Sequence, residues 1–417
     1  MTIPWIGGSV ILGNLLASKT AEGWRWIYYI ALMYNGVSLI GNFVFYFPPS
    51  RPQGDYEKTR WQELKEQDFI GIMLYSAGLA VLLIGLTWGG SIGHPWSSAS
   101  VLAPLIIGGF TFFAAFAYDF TLARNPVFPL FLFRKWTEYS ILLVVIFVSG
   151  AVYFAMVALL PQATLYMFTS DPIQIGIIQL PNGLGQVFFG GLASLFIGKI
   201  KHLKAQIIVY MTIQTVFLAV YSVVVPYNKA AWMALQFFGM GVFPTITVLC
   251  YVIAGLNISI KHLGLASGLL GTFRSLGASV GNAIFSTIMT ETVDTQLGKR
   301  IAKVAIAQGL DLSMLPVLIP ATIDNALGVP DAFSYVPGIT PAIVAALSDA
   351  LKEAYAYAFR RVFWATIPFG VVAIACTFFI NDPSKYLTNH VATHMEHGGL
   401  FTRSKVADQS DTAEKVA

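Results

Sequence analysis

The sequence predicts an all-α integral membrane protein with about ten transmembrane helices. Hydrophobic residue types make up 56% of the 417 residues, whereas charged residues make up only 11%. A typical soluble domain carries about 25% charged residues, and a soluble chain this apolar could not cover its surface with polar groups. The apolar residues also fall into runs that are long enough to cross a bilayer as helices. A closed β-barrel is not predicted, because short segments of alternating polarity are absent from the sequence.

Ten apolar runs are separated by more polar connections, and only the first run is short for a membrane-spanning helix. In chain order the predicted segments are 3–17, 25–47, 68–90, 100–122, 139–160, 173–198, 205–226, 230–256, 263–290 and 361–381. The longest connection, 291–360, is predicted to contain amphipathic helices near 292–308 and 341–358, with several prolines between them. This connection is expected to lie outside the membrane.

The positions of lysine and arginine predict the orientation of the helices. Cytoplasmic loops of membrane proteins carry an excess of these residues. Two connections on one predicted side, 91–99 and 161–172, contain none. The connections predicted to be cytoplasmic contain several, and they are 48–67, 121–138, 199–204, 257–262 and the C-terminal tail. The C-terminus is therefore expected in the cytoplasm.

Arg274 is a charged residue at membrane depth. It lies about eleven residues into its apolar run, which at a rise of ~1.5 Å per residue places it near the bilayer centre. An arginine there costs at least ~2.5 kcal/mol on insertion scales, so it must face a partner or a wet cavity. Two interpretations stay open, namely a charge on a substrate path or gate, and a structural arginine bonded to backbone carbonyls.

Three amide side chains share one face of the 173–198 helix. Gln179, Asn182 and Gln186 are spaced by three and four residues, which aligns them along the helix. Because amides in lipid need polar partners, this stripe is expected to face either a cavity or a neighbouring helix.

Small residues indicate where helices pack closely or break. Around Arg274, Gly264 and Gly268 are four residues apart, as are Gly277 and Gly281. This spacing allows close helix approach, as static packing or as a moving hinge.

The 230–256 run is expected to be broken by Gly239, Gly241 and Pro244. Within a helix, Pro244 would free a backbone carbonyl that needs another partner.

The sequence predicts no catalytic site, no metal site and no cofactor. It contains no nucleotide-binding loop, no nucleophile triad and no paired carboxylates at membrane depth, so an enzyme is not predicted. No basic face or motif indicates a nucleic-acid partner. His390, His394 and His397 have helical spacing in the tail, which fits a solvated helix face better than the alternative of metal binding.

Several motifs resemble the major facilitator superfamily. They are Pro4-Trp5-Ile6-Gly7-Gly8, Trp24–Ile30, Asp68–Gly71 with Trp88-Gly89-Gly90, Pro126–Arg134, and Pro161-Gln162 with Tyr166. Together with the Arg274 segment, they resemble the fungal branch of fourteen-helix drug:proton antiporters, in which trichothecene efflux pumps are most similar and siderophore transporters are nearby. The first motif, with Gly7 and Gly8, resembles the end of the antiporter signature of helix five.

The resemblance implies that this chain begins near helix five and lacks helices one to four, which carry the proton-linked residues of the family. Proton coupling is therefore not assigned to any residue. The implied parts are a remnant of the N-terminal bundle at 1–47, two linker helices at 48–138, a C-terminal six-helix bundle at 139–390 that includes the outer segment 291–360, and a cytoplasmic tail at 391–417.

The resemblance also implies a transporter in the plasma or vacuolar membrane that exports small apolar toxins or drugs by alternating access. Its partners would be the lipid bilayer and a small-molecule substrate. The helices implied to line the cavity contain the candidate substrate-path residues, which are Tyr153, Gln179, Asn182, Gln186, Pro244 and Arg274. Two alternatives stay open, which are transport of an iron–siderophore chelate and a truncated membrane fragment that does not transport.

Overall fold

The computed structural model describes residues 3–46, 61, 65–89, 94–123, 126–224, 226 and 228–387, without the side chains of 3–7, 260 and 261. Several predicted parts lie outside these residues, namely most of the 48–67 connection, the tail 391–417, and the histidines His390, His394 and His397. Within the described residues the regular elements are helices and no strand is present. They are α1 (Ile3–Lys19), α2 (Arg25–Phe45), α3 (Phe69–Trp88), α4 (Ala99–Thr121), α5 (Leu130–Phe133), α6 (Ile141–Met167), α7 (Pro172–Ile200), α8 (Leu203–Val224), α9 (Lys229–Gly239), α10 (Phe243–Asn257), α11 (Ile260–Ala307), α12 (Leu315–Ala326) and α13 (Pro341–Thr377).

Eight helical spans in the described part of the chain are long and apolar enough to cross a membrane. They coincide with eight of the predicted segments, and α9 and α10 together form one of them. The other two predicted segments are also helical. One is α1, which has 17 residues, and the other is the first part of α11, whose apolar run is interrupted by Arg274 and by glycines. The all-α membrane architecture predicted from the sequence is confirmed.

Two helices extend well beyond their predicted membrane segments. α11 has 48 residues and α13 has 37. The amphipathic helices predicted near 292–308 and 341–358 are therefore continuous with membrane helices, which the sequence analysis did not predict.

The two extensions contact each other through an ion pair between Arg300 and Glu353. Leu297, Ile301 and Leu347 are buried beside it. The 291–360 segment thus has its own apolar contacts, and these hold the two helix extensions together.

The chain divides into two compact units. One comprises Met1–Asn14 and Asp68–Leu387, and the other comprises Leu15–Gln67 and Thr388–Ala417. In the second unit, α2 has no buried residue, and large apolar side chains such as Leu32 and Phe43 are exposed. A helix with apolar side chains all round its surface suits a lipid environment.

α6 is the central helix of the larger unit, and side chains along its length such as Leu142, Ile146 and Met156 are fully buried. α11 and α13 pack along α6, and α8 packs against α13. α3 and α4 form a separate close pair. This pair relies on glycine, since a Cβ at Gly78 would lie 2.6 Å from the backbone nitrogen of Phe112.

Candidate functional site: an aromatic–amide cluster and a buried arginine

An aromatic stack joins α6 to the start of α10. The rings of Tyr153 and Phe243 are parallel within 1°, with centroids 3.9 Å apart. Phe154 contacts Phe243 edge-on at 5.5 Å. Tyr153 and Phe243 are both buried, so the stack fixes the distance between these two helices at a point deep in the bundle.

The predicted amide stripe of α7 divides into two parts. Gln186 donates a hydrogen bond to the Asn182 side-chain oxygen at 3.0 Å, and the Gln186 amide also interacts with the Tyr153 hydroxyl. Asn182 and Gln186 therefore lie beside the aromatic stack. Gln179 instead is 4% exposed and donates to the Thr164 hydroxyl of α6 at 2.8 Å.

The structure thus places Gln179 in a direct contact between α6 and α7. We call the group formed by Tyr153, Phe243, Asn182 and Gln186 the aromatic–amide cluster. Its members come from three helices and place aromatic faces next to amide donors and acceptors.

The helix break predicted for the 230–256 run occurs at Met240–Val242, between α9 and α10. Pro244 lies in the first turn of α10, where a backbone N–H has no partner within the helix. Because a new helix begins just before Pro244, the proline interrupts no continuous helix, and the Met240 carbonyl four residues earlier accepts a hydrogen bond from the Phe243 N–H at 3.3 Å. A Cβ at Gly190 of α7 would lie 3.5 Å from the Pro244 side chain, so Pro244 also contacts α7.

α7 packs directly against the break. A Cβ at Gly241 would lie 2.7 Å from backbone atoms of Gly185. On one side of this contact Gln236 donates to the Ile178 carbonyl at 3.1 Å, and on the other Thr245 donates to the Phe189 carbonyl at 2.9 Å. Side-chain hydrogen bonds between the helices therefore hold the broken segment in place.

Arg274 lies away from the aromatic–amide cluster, where the backbone of α11 comes close to Gly150 of α6. A Cβ at Gly150 would lie 2.7 Å from the Arg274 carbonyl oxygen. The half-buried Arg274 side chain lines a cavity of about 530 Å³ together with Leu79 of α3. Its Nε atom is buried and has no hydrogen-bond partner among the described residues.

The other residues lining this cavity all belong to α11, and they are Gly268, Gly271, Thr272, Ser275, Leu276 and Ser279. The aromatic–amide cluster does not contribute to this lining. The structure therefore separates the candidate substrate-path residues. Tyr153, Asn182 and Gln186 lie in the cluster, and Arg274 lies at the cavity. Gln179 and Pro244 lie in contacts that α7 makes with α6 and α10.

The predicted glycine contacts differ between the two pairs. Cβ atoms at Gly277 and Gly281 would lie 2.1 Å from the Phe147 carbonyl oxygen and 2.3 Å from the Ala151 carbonyl oxygen. Cβ atoms at Gly264 and Gly268 would meet no described atom within 4 Å. Only the second pair therefore lies in a close contact between α11 and α6 in the described structure.

Gly8 of α1 likewise has no described atom within 4 Å of a Cβ position. Gly7 lies among the first residues of α1, whose side-chain surroundings the structure does not describe.

Sequence reasoning missed Phe243 and Thr164, although each contacts a predicted site residue. Phe243 lies beside the predicted break at Pro244, and that proximity is the one signal that could have identified it. Thr164 is one hydroxyl in an apolar run, and no sequence pattern pairs it with Gln179.

A second cavity of about 610 Å³ lies between residues 288–296 of α11 and residues 357–365 of α13. Arg361 lies over the rings of Tyr357 and Trp364 there, and Glu291 accepts a hydrogen bond from Trp96 at 2.8 Å. Burial and the neighbouring Glu291 carboxylate raise the pKa of Asp294, one turn further along α11. This cavity is open and lined by both polar and apolar groups, whereas the Tyr153 and Phe243 rings of the aromatic–amide cluster are buried.

Long apolar helices with exposed apolar faces, and polar groups gathered near the middle of the same helices, define a polytopic α-helical membrane protein. The comparison with known families is more specific. The family model described as the fungal trichothecene efflux pump matches residues 2–414, and the chain belongs to this family. The resemblance to this branch inferred from the motifs is confirmed.

Three curated relatives illustrate the similarity. A trichothecene efflux pump of Fusarium sporotrichioides is 25% identical over 92% of this chain and 64% of its own length. An MFS-type transporter of Penicillium rubens is 26% identical over 91% and 70%, and a trichothecene efflux pump of Trichoderma arundinaceum is 27% identical over 99% and 68%. The chain thus spans about two thirds of the length of these relatives. Their names do not favour the siderophore alternative.

Proposed function

We propose that this protein exports small, largely apolar molecules by alternating access between helix bundles. The observation that carries the proposal is the aromatic–amide cluster beside the break between α9 and α10. Discontinuous helices commonly form the substrate sites of secondary transporters. The proposal is supported by membership of a family whose described members are efflux pumps.

The cluster has the chemistry that an apolar substrate needs. Tyr153 and Phe243 offer aromatic surface, and the half-buried Asn182 and Gln186 offer a few polar groups that can orient a ligand. Ligand sites are mostly apolar with a small number of well-placed polar groups. Asn182 and Gln186 bond to each other, so their remaining amide donors and acceptors are available to a substrate.

The proposal includes a location and a topology. The protein would lie in the plasma or vacuolar membrane with its C-terminus in the cytoplasm, as the lysine and arginine distribution favours. We further propose the division into 1–47, 48–138, 139–390 and 391–417 given by the resemblance. Coupling to protons is not assigned to any described residue.

Expression in a yeast strain that lacks its own drug pumps tests the function. We expect cells containing the protein to retain less of a neutral apolar dye such as Nile red than cells carrying an empty vector. Unchanged retention, with membrane insertion confirmed by fractionation, would contradict the export proposal.

Phe243→Ala tests the location of the substrate path. Loss of the stack and of an aromatic contact should lower dye export several-fold, since an aromatic pair contributes ~0.5–1.5 kcal/mol beyond its buried area. Phe110→Ala is the matched control, because Phe110 on α4 is 76% exposed. Equal export by the two variants at equal abundance would exclude the cluster from the path.

A further inference from the structure

Arg274 has an unmet hydrogen-bonding requirement in the described structure. Its Nε atom is buried without a partner, although the residue lies within an apolar part of α11. A buried charged group that lacks an acceptor is costly, and intramembrane arginines normally pair with another group or face water. The observation therefore calls for an acceptor that the described residues do not supply.

The cavity around Arg274 offers few free donors other than the guanidinium. The Thr272 hydroxyl donates to the Gly268 carbonyl at 3.0 Å, and the Ser279 hydroxyl donates to the Ser275 carbonyl at 3.2 Å. Because both hydroxyl protons are engaged in these hydrogen bonds, the two groups can act only as acceptors toward the cavity. The guanidinium is consequently the strongest donor available to a bound molecule.

The cavity also has no negative charge of its own, since none of its lining residues is Asp or Glu. Nothing on its wall therefore neutralises Arg274. The cavity is open, like the second cavity, and its volume of about 530 Å³ is within the range of small-molecule sites. The electrostatics favour a ligand that brings an oxygen acceptor or a negative charge and disfavour a cation.

The packing of α11 keeps Arg274 in this position. Gly150 leaves room for the Arg274 backbone, because a Cβ there would lie 2.7 Å from its carbonyl oxygen. Gly277 and Gly281 bring the next turns of α11 against backbone carbonyls of α6. Rotation of α11 would break these contacts, so the guanidinium stays on the cavity side.

We propose that Arg274 is a specificity-determining residue that binds a carbonyl or carboxylate oxygen of the transported molecule and excludes cations. The proposal rests on the export function and adds the substrate class, namely apolar molecules that carry hydrogen-bond acceptors. The guanidinium donates its N–H groups to the ligand oxygen, and no bond is made or broken.

Two dyes that share a xanthene ring but differ in charge test this selectivity. Cells expressing wild-type protein, Arg274→Gln or Arg274→Lys are loaded with anionic fluorescein or cationic rhodamine 123, and export rates are divided by surface abundance. Arg274→Gln should lower the ratio of fluorescein export to rhodamine export about tenfold, the effect of losing one charge-assisted hydrogen bond. The ratio for Arg274→Lys should lie between those of the wild-type protein and Arg274→Gln.

The matched control is Arg361→Gln, which is the same substitution in the second cavity. It should leave the ratio unchanged. An equal loss of both dyes in Arg274→Gln would overturn the proposal and indicate a structural ion pair with another part of the chain.

Binding to purified protein separates this proposal from the export function. Fluorescein anisotropy is measured on the full chain in lipid nanodiscs. If wild-type cells export neither these dyes nor Nile red, the export function fails, yet fluorescein binding that weakens about tenfold in Arg274→Gln still supports the selectivity. Equal fluorescein affinity of the two proteins would overturn it.

Discussion

At the scale of single residues, polar groups in apolar helices have two different uses. Gln179 pairs with Thr164 across α6 and α7, and Ser149 pairs with Gln214 across α6 and α8. Each pair makes a buried hydrogen bond that holds two helices together, and in the second pair the Gln214 Nε2 atom has no partner among the described residues. Arg274 instead lines a cavity and its Nε has no described partner, which is why we assign Arg274 to ligand binding and Gln179 to packing.

A double-mutant cycle on Gln179 and Thr164 tests the packing assignment. Gln179→Leu and Thr164→Val should each lower thermal stability, and the double mutant should lose less than their sum. We expect a coupling of ~0.6 kcal/mol, the average of double-mutant cycles on hydrogen bonds between membrane helices, and at most ~1.7 kcal/mol. Thermal denaturation of the detergent-solubilised protein measures it. Strictly additive losses would show that the bond contributes nothing.

At the scale of elements, the contact between α6 and α11 depends on the absence of side chains. Gly277 and Gly281 let the two backbones touch, so static packing explains this pair. Gly264 and Gly268 on the same helix have open space around them. The spacing of four residues is the same in both pairs, so spacing alone does not identify the pair that lies in the contact.

Gly281→Ala should destabilise the α6–α11 contact, because its new Cβ would lie 2.3 Å from the Ala151 carbonyl oxygen. Overpacking of this kind typically costs ~1–3 kcal/mol. Gly268→Ala is the matched control and should be neutral or slightly stabilising, since alanine favours helix and nothing lies nearby. The apparent melting temperatures of the two variants are compared by heating the fluorescently tagged proteins and measuring the remaining folded protein by size-exclusion chromatography. If both variants melt together, the close contact is not important for stability.

At the scale of the whole molecule, orientation in the membrane decides which cavities face which solution. The predicted topology places Asn257, in the sequence Asn257-Ile258-Ser259, on the cytoplasmic side and the 291–360 segment outside. The Asn257 side chain also donates to the Glu138 carbonyl at 3.2 Å. Both features predict that Asn257 is not glycosylated.

A new acceptor site in the outer segment supplies the positive test. Asp311→Asn completes an Asn-Leu-Ser sequence with Leu312 and Ser313 at an exposed position. We expect this variant to shift in mass on glycosidase treatment, whereas the wild-type protein should not. A shift in the wild-type protein that Asn257→Gln abolishes would reverse the proposed orientation.

The sequence by itself determined the class of protein, the positions of its apolar membrane segments and its family. Run length and composition suffice for the first two, because a bilayer of fixed thickness demands long apolar helices whatever their neighbours are. The break before Pro244 was also readable, since glycine and proline act on the local backbone. The tertiary structure decided what each polar or small residue contacts. It separated Gln179 from Asn182 and Gln186, and Arg274 from the aromatic–amide cluster, because helix rotation and the partner helix are set by packing between distant segments.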